Sequence, residues 1–225
     1  MTDRTVSFLF DLDGTLVDSV YQHVLAWHEA LQEEGIELSI WRIHRRIGMS
    51  GGLFTNMLAR ETGHDLDAAR IDRIRKRHAR AYNARAHEVR ALPGARELLA
   101  YLTEAGIPWA IATSGRIETA GPIIEMLGVD GAKNPVITRD KVRYAKPDPD
   151  LFLAAAAALG QPIERACVIG DSIWDMLAAR RAGGLGVGLL SGGYGEDELF
   201  KASAYRVYAD PADLLNHIDE VGGRR

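Results

Sequence analysis

The sequence predicts an α/β protein with a parallel sheet, opened after its first strand by an inserted all-helical segment. Three observations carry that prediction. From residue 92 onward short apolar runs alternate with helical stretches, the mark of βαβ units whose crossovers are right-handed. The region 18–88 carries helical patterning alone. The first apolar run, Phe8-Leu9-Phe10, ends in Asp11-Leu12-Asp13-Gly14-Thr15, and ligands of such sheets bind at the carboxyl ends of strands.

The elements follow in order. Asp18 or Ser19 caps a helix running through Trp27 and Leu31 to about Glu34, where Gly35 stops it. Further helices are expected around Trp41–Ile47, Leu53–Thr62 and Asp67–His87. Pro93-Gly94 then opens a helix from Ala95 to Glu104, followed by a strand at Pro108–Thr113 and a helix from Ile117 to Leu127. A strand at Pro135–Thr138, a helix at Pro149–Leu159, a strand at Ala166–Ile169, a helix at Ile173–Ala182 and a strand at Leu185–Leu190 complete the alternation. The expected division is an α/β core of residues 1–17 and 89–225, with a helical cap of residues 18–88. A cap that leaves and re-enters beside the strand ends is placed to sort substrates and exclude water.

The 225 residues suffice for a substantial core, and the net charge of −4 argues against nucleic-acid binding. The single cysteine, Cys167, lies in an apolar strand and is read as a buried residue with no redox role. Met1–Thr5 lead straight into the first strand without a leader pattern, and no apolar run is long enough for a membrane span, so a cytoplasmic protein without membrane contact is expected. The last residues, 221–225, are expected to fray.

Four stations at strand ends bear chemistry. Asp11 and Asp13 lie two apart, so strand alternation aims both carboxylates one way. Their repulsion calls for a shared proton or cation, and Mg²⁺, a hard ion with oxygen ligands, answers it. Thr113-Ser114-Gly115 offer a hydroxyl and backbone amides beside a helix N-terminus, a cradle for phosphate oxygens. Lys146, before Pro147, supplies a fixed cation, and Gly170-Asp171-Ser172 with Asp175 supply further acid. This is equipment for phosphoryl transfer, in which a metal and a lysine neutralise the charge that would otherwise repel an attacking carboxylate. Asp11 would form an aspartyl-phosphate, and Asp13 would protonate the leaving alkoxide and then deprotonate water. Asp171 would complete the metal site.

Asp11-Leu12-Asp13-Gly14-Thr15-Leu16-Val17-Asp18-Ser19, Thr113-Ser114-Gly115, Lys146-Pro147-Asp148-Pro149 and Gly170-Asp171-Ser172-Ile173-Trp174-Asp175 together resemble, in order, the four motifs of the haloacid dehalogenase superfamily. The helical insert after the first motif resembles the subgroup of phosphoglycolate phosphatases and β-phosphoglucomutases. The resemblance implies a Rossmann-like three-layer core. It also implies Asp11 as nucleophile and metal ligand, Asp13 as acid/base and backbone metal ligand, Thr113 and Lys146 on phosphate, Asp171 on Mg²⁺, and Asp175 as support for the metal site. Asp13 separates the chain from true haloacid dehalogenases, which lack that acid, and the motif spacing separates it from P-type ATPases.

His23 and Trp27 match positions similar to those of β-phosphoglucomutases, and both readings, substrate contact or packing, stay open. Gly48-Met49-Ser50-Gly51-Gly52 resembles their cap loop, but Gly51 stands where they carry a substrate-phosphate arginine, so hydrolysis is favoured over mutase chemistry. Gly48, Ser50 and Arg116 join as substrate-side candidates. The basic run Arg70, Arg73, Arg75, Lys76, Arg77, Arg80 and Arg85 reads as a solvated helix face, with attraction of anionic substrates as the alternative. Gly183–Gly188 reads as close-packing glycine, since it enters a strand instead of opening a helix. The expected activity is a Mg²⁺-dependent phosphatase of a small phosphorylated metabolite. The enzyme alternative is a sugar phosphomutase, and the non-enzyme alternative is a phosphorylation-controlled signalling module. Monomer and homodimer are both compatible with the sequence.

Overall fold

The computed structural model describes residues 6–63 and 66–224, so Met1–Thr5 and Arg225, on which two sequence expectations fall, lie outside the described residues. The first part of the chain runs β1 (Ser7–Phe10), β2 (Val17–Asp18), α1 (Val20–Gln32), α2 (Ile40–His44), α3 (Gly51–Thr62), α4 (Ala68–Arg85) and β3 (Arg90–Ala91). It continues through α5 (Ala95–Glu104), β4 (Trp109–Ala112), α6 (Ile117–Leu127), β5 (Val136–Ile137), α7 (Asp150–Ala158), β6 (Ala166–Gly170) and α8 (Ile173–Ala182). β7 (Leu185–Leu189), α9 (Glu196–Lys201), β8 (Arg206–Tyr208) and α10 (Pro211–Asn216) complete it.

Six strands form one sheet in the order β5-β4-β1-β6-β7-β8, every neighbouring pair parallel. β1 sits in the middle, with Leu9 opposite Ala110 on one side and Val168 on the other. Its side chains alternate between two apolar layers. Phe8 and Phe10 join Leu98, Leu102, Ile123 and Leu214 from α5, α6 and α10, whereas Leu9 joins Leu151, Phe152, Ala155 and Ala178 from α7 and α8. The fold is therefore a three-layer, Rossmann-like α/β arrangement. The chain leaves β1 for β4 on one side and returns to β6 on the other, so the carboxyl ends of β1, β4 and β6 meet at a switch point.

α1 to α4 share a separate apolar cluster that includes Val24, Leu31, Ile43, Phe54, Leu58 and Ile74. The two-residue strands β2 and β3 pair antiparallel where the chain enters and leaves this helical block. Such a short ribbon has no periodicity to betray it in sequence. α9, β8 and α10 also went unforeseen, each too short for a pattern to emerge.

Three local expectations need correction. Ser19 begins α1 but makes no side-chain cap; its hydroxyl donates to Asp13 Oδ1 at 2.6 Å instead. The basic run of α4 is exposed at Arg73, Lys76 and Arg80 as expected, but it is also a seam: Arg70, Arg73 and Arg77 reach Glu34, Arg77 and Arg80 reach Glu33, and Arg85 reaches Glu29 of α1. The C-terminal segment up to Arg224 is anchored, with Val221 buried, Cys167 Sγ donating to its carbonyl and Tyr101 Oη donating to Gly223 O at 3.0 Å. Burial pushes the Cys167 thiol up to about 12, as suits a packing residue.

Candidate active site

Asp11 follows β1 directly, and its backbone N–H still continues the sheet by donating to Ile169 O at 2.9 Å. Its carboxylate pairs with Lys146 Nζ, which also stands 2.8 Å from Asp175 Oδ1. All three side chains are buried. Asp175 is fixed by a reciprocal cap at the start of α8, where its Oδ2 accepts from the Ser172 N–H and hydroxyl. Asp171, at the end of β6, accepts from Thr15 Oγ1 at 2.9 Å. A Cβ at Gly14, where φ is +82°, or at Gly192 would overlap the Asp171 carboxylate, so these glycines are what lets it lie there.

One oxygen each from Asp11, Asp171 and Asp175 can be chosen so that all lie within 4.8 Å of one another. A single ammonium faces three buried carboxylates, and the imbalance registers in their protonation. Burial, which the Lys146 charge only partly offsets, together with Asp175 and Asp13 lifts Asp11 to about 7. Burial, then Asp175 and Asp11, pushes Asp171 well above the usual carboxylate range. Burial works against the Lys146 ammonium, but Asp11 and Asp175 outweigh it and raise its pKa. An all-oxygen donor set with surplus negative charge fits a hard divalent cation.

The two acids of the first motif diverge. Asp13 turns away from Lys146 and accepts from Ser19, with His23 Nε2 at 3.2 Å from its Oδ1. Burial raises the Asp13 carboxyl, but the charge and hydrogen bond of His23, with help from Ser19 and Lys146, outweigh it and hold the group below the ordinary range. His23 Nδ1 lies 3.1 Å from His78 Nε2, and the His23 ring stacks on Tyr82 at 3.8 Å between centroids. Burial, then His23, pushes His78 well below the ordinary imidazole range, so it is neutral. Trp27 stacks on His78 at 4.1 Å and meets Phe54 edge-on. His23 and Trp27 thus both pack and line the cavity described next.

A cavity of about 420 Å³ opens between the strand ends and the helical block, a volume typical of small-molecule sites. Asp11, Asp13, Thr113, Ser114, Gly115, Gly48, His23, Trp27 and Arg116 line it. Thr113 is buried and its Oγ1 accepts from the Gly115 N–H at 2.9 Å. The Ser114 hydroxyl donates to Gly48 O at 2.9 Å, joining the cap loop to β4. Ser50 is not among the lining residues: its Oγ caps α3 through the Leu53 N–H, and its N–H donates to Lys146 O at 2.8 Å. Arg116 lines the wall with its guanidinium paired to Asp140. Sequence reading missed His78, Tyr82 and Arg139, and took Arg75 only as one member of a basic run. No local motif marks them; the spacing of His78 and Tyr82 by four on one helix was the only available signal.

Parallel strands, buried acids and a single bridging lysine define a hydrolase site of the haloacid dehalogenase type. Residues 7–183 match the family model of the haloacid dehalogenase-like hydrolases, and the chain belongs to that family. It is 34% identical over 182 residues to hexitol phosphatase A of Escherichia coli K12, covering 80% of this chain and 81% of that protein. It is also 34% identical to a phosphoglycolate phosphatase of Caulobacter vibrioides, covering 84% and 80%. A crystal structure of a hydrolase from Pseudomonas syringae superposes with a TM-score of 0.93 at 58% identity, covering 96% of this chain and 98% of that one. Within its family the chain is a phosphoric monoester hydrolase. Among the described residues no helix is long and apolar enough to cross a membrane.

Proposed function

We propose that the chain is a Mg²⁺-dependent phosphatase of a small phosphorylated metabolite, of the phosphoglycolate or sugar-phosphate class, working in the cytoplasm through an aspartyl-phosphate on Asp11. The observation that carries this reading is Lys146, wholly buried and shared between Asp11 and Asp175 at the end of the central strand. Its charge offsets part of the burial that disfavours the Asp11 anion, while leaving the Asp11 carboxylate at the cavity wall.

Asp11 and Asp171, with the Asp13 backbone carbonyl, would hold the Mg²⁺, with Asp175, its oxygens held by Lys146 and Ser172, as support; the ion when bound supplies charge neutralisation at the phosphoryl oxygens. An Asp11 oxygen attacks phosphorus as the bond to the ester oxygen breaks, and Asp13 gives its proton to the departing alkoxide. Since Asp13 rests ionised, it takes that proton from solvent as the anionic ester settles beside it and raises its pKa. Water then attacks phosphorus, Asp13 takes the water proton, and Asp11 is released with inorganic phosphate. Thr113 and the amides of Ser114 and Gly115 receive phosphate oxygens. His23, Trp27, Gly48 and Arg116 face the leaving group from the cavity wall.

Phosphate release from a panel of phosphorylated metabolites, with and without EDTA, tests the proposal. Turnover is expected to need Mg²⁺ and to vanish in Asp11→Asn. Metal-independent turnover, or full activity in that variant, would overturn it. Isomer formation without phosphate release would instead favour a phosphomutase, and a long-lived phosphoprotein without turnover would favour a signalling module.

A further inference from the structure

α4 carries a run of arginines, and one of them behaves unlike the rest. Arg70, Arg73, Arg77, Arg80 and Arg85 all reach carboxylates in α1 or just after its end, Glu29, Glu33 and Glu34. Arg75 points the other way, into the cavity, and has no carboxylate partner among the described residues. Its Nη2 lies over Gly52 at the start of α3, where a Cβ would stand 4.0 Å away.

Arg116 and Arg139 line the same part of the cavity from the sheet side. Arg139 spends its guanidinium on the carbonyls of Val142 and Arg143, at 2.6 and 3.1 Å, and Arg116 pairs with Asp140. Three guanidiniums therefore gather with one carboxylate partner among them. Burial, then repulsion from Arg116 and Arg139, pushes the Arg75 pKa below its ordinary value. Against these cations the lining sets Asp72, already paired with Lys76 at 2.8 Å, and Glu118. A half-buried, unpaired guanidinium among like charges gains most from an anion, and its planar fork suits a carboxylate or phosphoryl group.

We propose that Arg75, backed by Arg116 and Arg139, forms a distal anion subsite that selects phosphate esters bearing a second anionic group on the leaving group. A carboxylate and a second phosphoryl share the recognising chemistry. The inference rests on the phosphatase reading above and narrows its substrate class: neutral sugar or polyol phosphates are poorer substrates than their acidic counterparts.

Three esters built on one six-carbon chain test it: 6-phosphogluconate, sorbitol 6-phosphate and sorbitol 1,6-bisphosphate. The wild-type enzyme with Mg²⁺ is expected to show kcat/KM at least about tenfold higher for one of the two doubly anionic esters than for sorbitol 6-phosphate. Which of the two leads identifies carboxylate or phosphoryl as the favoured group. In Arg75→Gln that preference is expected to collapse, with the loss falling mainly on the doubly anionic ester, and Arg75→Lys is expected to retain part of it. Equal kcat/KM for all three esters in the wild type, or an equal loss on all three in the variant, would overturn the subsite. Titration of the esters into Asp11→Asn and Asp11→Asn/Arg75→Gln reads binding without turnover. Arg75-dependent preference in binding supports the subsite even where no ester is hydrolysed, an outcome that sinks the phosphatase reading alone. Hydrolysis indifferent to Arg75 sinks the subsite alone.

Discussion

His23 Nε2 stands 3.2 Å from Asp13 Oδ1, so the first helix of the inserted block directly touches the second acid of the β1 motif. The helical block and the strand ends are thereby linked through a charged contact beside the cavity. His23→Ala removes a hydrogen bond to a buried charged group, worth about 1.5–3 kcal/mol, and should lower kcat roughly 10- to 100-fold. Without His23 the Asp13 carboxyl is no longer held low, so its ¹³C resonance should titrate at higher pH. An unchanged titration would show that the contact does not tune Asp13.

Metal removal should make stability depend on pH in a defined direction. Asp11 has a folded-state pKa near 7, mainly through burial and partly offset by Lys146, against an unfolded value near 3.8, and Asp171 is raised for the same first cause. Between those values the folded state holds more protons than the unfolded state, so its stability falls as pH rises from about 4 through 7. Melting in EDTA should show that fall, and Mg²⁺ should raise Tm far more at pH 8 than at pH 5, by on the order of 5 °C. Equal Mg²⁺ shifts at both pH values would count against the acids as its site.

Lys146→Met keeps most of the length of the side chain and deletes its charge. Removing one partner of a buried ion pair costs about 3–5 kcal/mol, equivalent to a fall in Tm of roughly 6–20 °C for a chain of this size. Mg²⁺ should recover part of the Tm by compensating the carboxylates, while turnover stays absent because Asp11 loses its fixed counter-ion. A variant with wild-type melting and wild-type phosphate release would remove Lys146 from the site.

Gly192→Ala probes the metal site from outside the carboxylates. The added methyl would overlap Asp171, and the carboxylate must shift from the position Thr15 holds. Mg²⁺ affinity should drop about 10- to 100-fold, read by titration of turnover or of Tm, and the metal-free Tm should fall by the cost of the displaced buried carboxylate. Unaltered affinity would mean that the Asp171 carboxylate does not hold the ion.

Asp13→Asn should lower kcat by about 10²–10⁴, the range of one acid/base step, while leaving Mg²⁺ binding through its backbone carbonyl intact. Loss of the metal together with activity would assign Asp13 a ligand role through its side chain.

Much of the architecture was legible because its signals are local. Short apolar runs located β1, β4, β6 and β7, and α5, α6 and α8 have the bounds their periodicity predicts. Short elements such as the β2–β3 ribbon and α9 hold too few residues for a period, and their place depends on contacts across the chain. The basic run of α4 shows the same boundary from another side. Composition announced a charged helix, but only Glu29 of α1 and Glu33 and Glu34 at its end, facing it, made it a seam, and only the opposite helix face turned Arg75 into the cavity.

By itself the sequence determined the reaction type, because the acids, the hydroxyl and the lysine occupy strand ends that a parallel sheet must bring to one edge. What the tertiary structure decided is how like groups became unlike. Asp11 and Asp13 lie two residues apart, yet one faces a buried ammonium and the other a histidine contributed by a helix. The physical reason is that protonation and pairing are set by burial and by charges a few ångströms away, and those neighbours, Lys146, Asp175, His23 and His78, are distant along the chain.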